Sequence, residues 1–368
     1  MSGFSRVGYD ARFAIEPYRG MGRYLRALIQ GRETEFTGFC ATGESSPTLD
    51  LVKGGAKFYP LWEQLSLPRQ VRTHSIDTFI APFNTAPLRL PSAVQLVLVI
   101  HDLIFLDPLP WSRSLYQNVG RIYRRTVVPR AAARANVIIT VSEYSKAQIL
   151  HRLGVPGSRV QVIPCSLHEG WFDLKPPQHG DHPYVLMVSG EAPSKNLRRG
   201  IAGFSRVASL RNNLTLKIVG VKEKYHDEFM KFASECGIGN RVQFQGFQRE
   251  EQLQELYRGA EVFLLPSLAE GFGIPLLEAM ASGVPIASSS ATSLPEVAGN
   301  AALYFDPLSI EEISARLAAI LESPETRQRL VEEGHRQVLK YHEARVAERI
   351  HAFWARLKSN CEQQSATI

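Results

Sequence analysis

The chain has 368 residues, enough for two domains, and its 44% hydrophobic and 21% charged content is that of a folded protein, not a disordered one. The longest apolar run, 94–100, is strand-sized and includes Gln95, too short to span a bilayer, and no signal-like segment opens the sequence, so export is not expected. The net charge of +6 is uneven: residues 1–170 carry 20 basic and 12 acidic side chains and residues 171–368 carry 22 and 24, which points the first half toward an anionic partner such as nucleic acid, a membrane surface or a phosphorylated substrate.

Val7–Asp10 reads as a first strand. Arg19–Arg23 reads as a glycine loop carrying Gly20 and Gly22, and Tyr24–Gln30 has helical apolar spacing. The loop lacks the third glycine of a dinucleotide fingerprint. Thr78–Ala81 and Leu96–Ile100 read as central strands. Arg113–Arg134 is helical in pattern and rich in arginine, and Pro129 is expected to kink or end it. Val137–Val141 is a further strand, Ser142 caps a helix ending near Gly154, and Val160–Ile163 is another strand. Residues 168–182 lack periodicity and hold Pro176, Pro177 and Gly180, which places a linker there.

A cleaner alternation follows. Its strands are Tyr184–Ser189, Thr215–Val219, Val242–Gln245, Val262–Pro266 and Pro285–Ser288. Its helices are Asn196–Leu210, Tyr225–Glu235, Glu250–Arg258 and Pro275–Ser282. Such alternation predicts an α/β fold of two doubly wound parallel sheets, with ligands at the carboxyl ends of the strands in a cleft. The expected division is a domain over 1–170, a linker over 171–183, a domain over 184–345, and a C-terminal helix and tail over 346–368 packing back on the first domain. Glu311–Lys358 reads as helical, with 363–368 frayed. Cys40, Cys165, Cys236 and Cys361 are far apart with no C-x-x-C, which argues against disulfides and zinc and fits a reducing cytoplasm.

The most informative stretch is Glu270-Gly271-Phe272-Gly273-Ile274-Pro275-Leu276-Leu277-Glu278. Two carboxylates bracket a glycine turn between a buried strand and a helix with proline in its first turn. Such a turn presents backbone N–H groups at a helix N-terminus, where partial positive charge favours phosphate. Carboxylates on either side accept hydrogen bonds from sugar or ribose hydroxyls. No D-x-D pair occurs, so no essential metal is expected, and charge on a diphosphate would fall to lysine and helix dipole.

Together with Val242–Phe247, Phe263–Ser267, Glu278–Pro285, Leu294–Gly299 and Ala301–Pro307, this stretch resembles the signature of the retaining glycosyltransferases of family 4, which have the GT-B fold. The resemblance reaches the first half at Gly20–Tyr24, His101-Asp102 and Ala135–Glu143. It implies that Glu278 holds the ribose hydroxyls and that Glu270 contacts the donor sugar. Gly190, Gly246, Phe247, Gly271, Phe272 and Gly273 would complete the donor pocket, with Gly22 near the phosphates. Lys195 would hold the diphosphate. Relatives carry an arginine in that loop; here Glu191 and Ser194 stand in its place, leaving Arg198 or Arg199 as substitutes. His101 would touch the donor sugar as the second catalytic residue with Glu270. Gly20, Asn84, Thr85, Arg121, Arg124 and Arg125 are the candidates on the acceptor side, and the arginines would also suit anionic lipid headgroups or a lipid-diphosphate acceptor.

The implied reaction moves a hexose, with mannose from GDP-mannose the first expectation, from a nucleotide-diphosphate sugar to a glycan or polyprenyl-diphosphate-linked acceptor in bacterial surface polysaccharide synthesis. The resemblance is to bacterial polysaccharide mannosyltransferases. No cofactor is implied, nor nucleic acid, and the expected place is the cytoplasm or the inner face of the membrane. Two other readings fit parts of the sequence: a GT-B nucleotide-sugar epimerase or sugar phosphorylase, and a non-catalytic module binding anionic carbohydrate or nucleic acid. The second is disfavoured because aromatic and basic residues do not interleave as on nucleic-acid platforms.

Overall fold

The structure is a computed structural model that describes residues 6–15, 20–41, 46, 48–108, 115–174, 182–211 and 213–365. Arg19, Arg113, Pro176, Pro177, Gly180 and 366–368 lie outside the described residues, as does the side chain of Cys361. The chain divides into two compact units. Unit 1 comprises Met1–Asp107, Ser114–Ser166 and Glu343–Ile368; unit 2 comprises Pro108–Arg113 and Leu167–His342.

Unit 1 holds a seven-stranded, all-parallel sheet in the order β3-β2-β1-β4-β5-β6-β7. Its strands are β1 (Val7–Asp10), β2 (Thr37–Cys40), β3 (Leu51–Lys53), β4 (Thr78–Ala81), β5 (Gln95–Ile100), β6 (Val137–Thr140) and β7 (Val160–Val162). Both β1 and β4 are buried throughout, as parallel strands covered on two faces must be. The helices are α1 (Gly20–Ile29), α2 (Tyr59–Leu61), α3 (Leu67–Thr73), α4 (Leu115–Arg134) and α5 (Glu143–Leu153). A π-helical turn, Trp62–Ser66, joins α2 to α3. The core on one side of the sheet runs from Phe39, Trp62 and Val71 through Phe79, Leu96 and Leu98 to Val128 and Ile149. Ser142 caps α5 by accepting from Ser145 N at 3.0 Å, and left-handed Gly154 closes it.

Three expectations change here. Gly20 and Gly22 are the first turn of α1 and not a loop; Gly22 is buried against the fold, and burial of Tyr24, Leu25, Leu28 and Ile29 outweighs the low helix propensity of glycine. Of the kink or end expected at Pro129, the end does not occur: α4 runs on to Arg134, with Val127, Val128, Ala131 and Ala132 buried in the core beside the proline. The edge strand β3 and its neighbour β2 were not expected, nor was the run of helix over 59–73.

Unit 2 holds a six-stranded parallel sheet in the order β10-β9-β8-β11-β12-β13. Its strands are β8 (Tyr184–Val188), β9 (Thr215–Val219), β10 (Val242–Gly246), β11 (Val262–Leu265), β12 (Ile286–Ser289) and β13 (Ala302–Phe305). Its helices are α6 (Leu197–Ser205), α7 (His226–Glu235), α8 (Glu250–Arg258), α9 (Ile274–Ala281), α10 (Leu294–Ala298), α11 (Ile310–Glu322) and α12 (Pro324–Val338). This is a doubly wound sheet whose winding reverses between β8 and β11. Helix α6 ends at Ser205, short of the expected Leu210. The long segment of unit 2 begins at Leu167, ahead of the linker expected from composition, and there Trp171 is buried and its Nε1 donates to Glu250 at 2.9 Å.

The last helix, α13 (Glu343–Ser365), belongs to unit 1. Trp354 Nε1 donates to Leu28 O of α1 at 2.9 Å, and its ring meets Phe36. The helix includes 363–365, where fraying was expected. No helix among the described residues is long and apolar enough to cross a membrane.

Candidate active site

All the candidate donor residues but Gly22 lie in unit 2: Gly190 and Lys195 beyond β8, Gly246 and Phe247 at the end of β10, and Glu270–Gly273 and Glu278 beyond β11. Beyond β8 lie Gly190 and a 3-10 turn, Pro193–Lys195. A Cβ at Gly190 would meet nothing within 4 Å, so this backbone borders open space. Asn196 follows in left-handed conformation and donates through Nδ2 to Pro266 O at 2.9 Å and Pro307 O at 2.7 Å. Leu268 N donates to Ser194 O at 2.7 Å. These bonds tie the loop after β8 to the loop after β11, and they bring Lys195 to Glu270.

Lys195 Nζ donates to Glu270 Oε1 at 2.7 Å and Oε2 at 3.0 Å. Ser267 Oγ donates to Oε1 at 2.7 Å, and Glu270 N donates to Thr292 Oγ1 at 3.1 Å. Ser293 Oγ donates to the carbonyls of Glu270 and Phe272, both at 3.0 Å. Thr292 holds φ 58°, a left-handed conformation that strains a β-branched residue. Gly273 precedes α9 at φ 108°, an angle that favours glycine, and a Cβ there would also press on the Leu294 side chain, 2.8 Å from its Cδ2. Phe272 is buried edge-on to Tyr341, which fixes the middle of the turn.

Glu278, at 6% exposure, sits on α9 and accepts from Tyr257 Oη at 2.9 Å. Burial, with the Glu278 carboxylate beside it, raises the Tyr257 phenol well above its ordinary value, so it stays a donor. Gly246 ends β10 at φ 59°, and Phe247 beside it is 70% exposed. Arg198 Nη2 pairs with Glu228 at 2.9 Å, and Arg199 Nη1 donates to Asn196 Oδ1 at 3.1 Å. The cation that meets Glu191 is Lys222 from beyond β9, at 2.7 Å. Sequence reading missed Lys222, Tyr257 and Thr292, since each reaches the site from a distant segment without a motif of its own.

The remaining candidates lie in unit 1. His101, 9% exposed, follows β5. Its Nε2 is 2.9 Å from Pro82 O, its backbone N donates to Asn84 Oδ1 at 2.7 Å, and its ring meets Tyr24. Burial lowers its pKa from 6.5 to about 4 against the opposing pull of the Pro82 carbonyl, so the imidazole is neutral near pH 7. Bonding to Pro82 O makes Nε2 the protonated nitrogen and leaves Nδ1 an acceptor. Asn84 is left-handed and buried; Thr85 is buried and donates to Glu63 Oε1 at 2.6 Å, so both hold the fold around β4. Arg125 Nε donates to Phe105 O at 2.8 Å, Arg121 to Phe105 O at 3.2 Å and to Asp107 O, and the Arg124 guanidinium lies 5.9 Å from the Phe105 ring. Gly20 and Gly22 are on α1.

Residues 172–337 match the family model described as glycosyl transferases group 1, and residues 19–168 match that of glycosyltransferase family 4. The O-antigen chain mannosyltransferase B of Escherichia coli is 31% identical over 204 residues, which is 53% of this chain and 54% of the relative. The MMP alpha-(1->4)-mannosyltransferase of Mycolicibacterium hassiacum is 31% identical over 216 residues, 57% of this chain and 51% of that one. The chain thus spans about half the length of these curated relatives. The structure of Anabaena Alr3699/HepE in complex with UDP and glucose superposes with a TM-score of 0.76 at 17% identity, covering 96% of this chain and all of that one. WaaG, a glycosyltransferase of lipopolysaccharide biosynthesis, gives 0.70 at 18% identity, covering 94% and 99%. At these identities the likeness shows the fold, which is GT-B.

Proposed function

We propose, from the premise that this chain belongs to the group 1 and family 4 glycosyl transferases, that it moves a hexose from a nucleotide-diphosphate sugar to an acceptor hydroxyl with retention at the anomeric carbon. One observation carries this reading: Lys195 and Glu270, from two loops, meet at the carboxyl ends of β8 and β11, one turn of backbone from Glu278 on α9. The three side chains supply a cation for a diphosphate, a carboxylate for sugar hydroxyls and a carboxylate for ribose. The winding of the sheet reverses at this point, where doubly wound folds take nucleotides.

In the proposed front-face reaction, the bond between the anomeric carbon and the phosphate oxygen breaks. The acceptor oxygen bonds to the same face, and its proton passes to the departing phosphate oxygen. Lys195 and the N–H groups of the 271–273 turn would stabilise the charge gathering on the diphosphate. His101 enters as a neutral group that contacts the transferred sugar. The reading needs no divalent ion, since no D-x-D pair stands in the sequence, and transfer in excess EDTA checks that.

Mannose from GDP-mannose is the proposed donor, supported by the mannosyltransferase names of the relatives at 31% identity. The proposed acceptor is a glycan or a polyprenyl-diphosphate-linked glycan of a bacterial surface polysaccharide. Peripheral contact with an anionic membrane is supported by α4, where exposed Leu115, Val119 and Ile122 recur at helical spacing beside Arg121, Arg124 and Arg125. Cosedimentation with phosphatidylglycerol vesicles tests that part.

The test of the whole is a thermal-shift panel of UDP, GDP and their sugar conjugates, followed by product analysis with and without an acceptor alcohol. A melting-point rise with GDP and GDP-mannose, and acceptor-dependent glycoside formation, are expected. Silence toward every conjugate at millimolar concentration would sink the reading.

A further inference from the structure

Unit 1 has its own winding reversal. The chain runs outward from β1 through β2 and β3 on one side, and from β4 through β7 on the other. The crevice beyond the carboxyl ends of β1 and β4 is therefore where a ligand of this sheet would sit. Of the residues singled out from sequence, Asn84 and Thr85 follow β4 here, and Thr85 donates to Glu63; Arg12, Phe13 and Glu63 were not singled out.

Asp10 ends β1, and Arg12 turns back on it: Arg12 Nη2 is 2.5 Å from Asp10 Oδ2, and Nε reaches both carboxylate oxygens at 2.8 and 2.9 Å. The guanidinium carbon lies 3.9 Å from the Tyr59 ring centroid, 5.4 Å from Phe13 and 5.9 Å from Phe83. Phe13 meets Phe83 edge-on at 4.8 Å, yet is 48% exposed. Below them Glu63, 1% exposed and aimed by the π-helical turn, accepts from Tyr59, Thr85 and Tyr123, each at 2.6 Å. π-helical turns recur at functional sites. This is a rigid polar floor under an exposed aromatic ring.

Charge selects the class of ligand. Asp10 cancels Arg12, and buried Glu63 adds no positive field, so nothing here draws a phosphate. A flat apolar ring beside donors fixed in direction suits a pyranose, which has an apolar C–H face and a rim of hydroxyls. Arg12 has five N–H donors and commits only Nε and Nη2 to Asp10, so the pair orients the guanidinium without exhausting it.

We propose that Phe13 and Arg12 form a saccharide subsite for a neutral hexose of the acceptor, with Phe13 stacking on the sugar ring and Arg12 donating to its hydroxyls. The assignment to the acceptor rests on the transfer reading above; the affinity for a neutral sugar does not. Asp10 and Glu63 act as positioning residues.

The experiment is saturation-transfer NMR on the full chain, with α-1,2-mannobiose, α-1,3-mannobiose and methyl α-glucopyranoside as probes. Wild type should bind at least one, Phe13→Ala should weaken that binding about tenfold or more, and Phe58→Ala, an exposed ring outside the cluster, should not. A thermal-shift titration with GDP on the same three proteins should give one response, which shows the variants folded and the donor half untouched. Equal binding by wild type and Phe13→Ala, or no binding of any probe to wild type, overturns the subsite. Saccharide binding by a chain that ignores every nucleotide supports the subsite and sinks the transfer reading instead.

Discussion

Lys195 and Glu270 neutralise each other: Nζ lies 2.7 Å from one carboxylate oxygen and 3.0 Å from the other. The proposed function gives these side chains to opposite ends of one donor molecule. A diphosphate arriving at Lys195 must therefore take the place of a carboxylate. Glu270→Gln should tighten binding of GDP, by up to about fivefold, since partly exposed pairs contribute at most ~1 kcal/mol. The same variant should lose most of its transfer activity. Calorimetry and a radiolabel transfer assay check the two halves; weaker GDP binding by Glu270→Gln would refute the exchange.

Glu278 and Tyr257 form a buried pair at 2.9 Å. Glu278→Gln keeps the shape and removes the charge that a ribose would use. GDP binding should fall about tenfold, on the scale of one charge-assisted hydrogen bond at ~1.5 kcal/mol or more, while binding of inorganic pyrophosphate stays the same. A parallel loss for both ligands would move Glu278 out of the ribose site.

His101 links stability to pH with a definite sign. Its folded pKa of about 4 lies below the ordinary 6.5, so the unfolded chain binds its proton first. The stabilising contribution is complete above pH 6.5 and is lost as pH falls toward 4, in all on the order of 3 kcal/mol. Urea melts of wild type and His101→Phe between pH 7.5 and 4.5 should converge in slope difference to this one group. Identical slopes would mean that the imidazole is solvated.

Thr292 is strained and useful together. Its left-handed backbone costs on the order of 1 kcal/mol, and its hydroxyl holds Glu270 N at 3.1 Å. Thr292→Gly relieves the first and loses the second, so the melting temperature should move little. The turnover number should drop several-fold because the Glu270 loop loosens. A large melting shift without a kinetic effect would assign the strain to stability alone.

How far the sequence carried varies by element. The strands and helices of unit 2 were legible because each buried strand is a short apolar run between turn residues; Thr215–Val219 and Glu250–Arg258 fall where expected. In unit 1, β2 and β3 escaped because Thr-Gly-Phe-Cys and Leu-Val-Lys are too short and mixed to show a period. Gly20 and Gly22 misled because glycine signals a loop locally, and only packing of the rest of α1 overrides it. The candidate donor residues were visible through their motif. The Arg12 cluster was not, since Asp10, Tyr59, Phe83 and Tyr123 become neighbours only through the fold.

The return of α13 to α1 has a consequence for how the protein is made. Residues 167–342 are one continuous segment and can collapse as soon as they leave the ribosome. The other unit must wait for α13, with the Leu28 carbonyl and Phe36 lacking Trp354 until that helix has been made. A stop codon after residue 342 would therefore damage the segment before residue 167 more than residues 167–342, and nascent-chain proteolysis should find that earlier segment resistant only after 167–342 has become so.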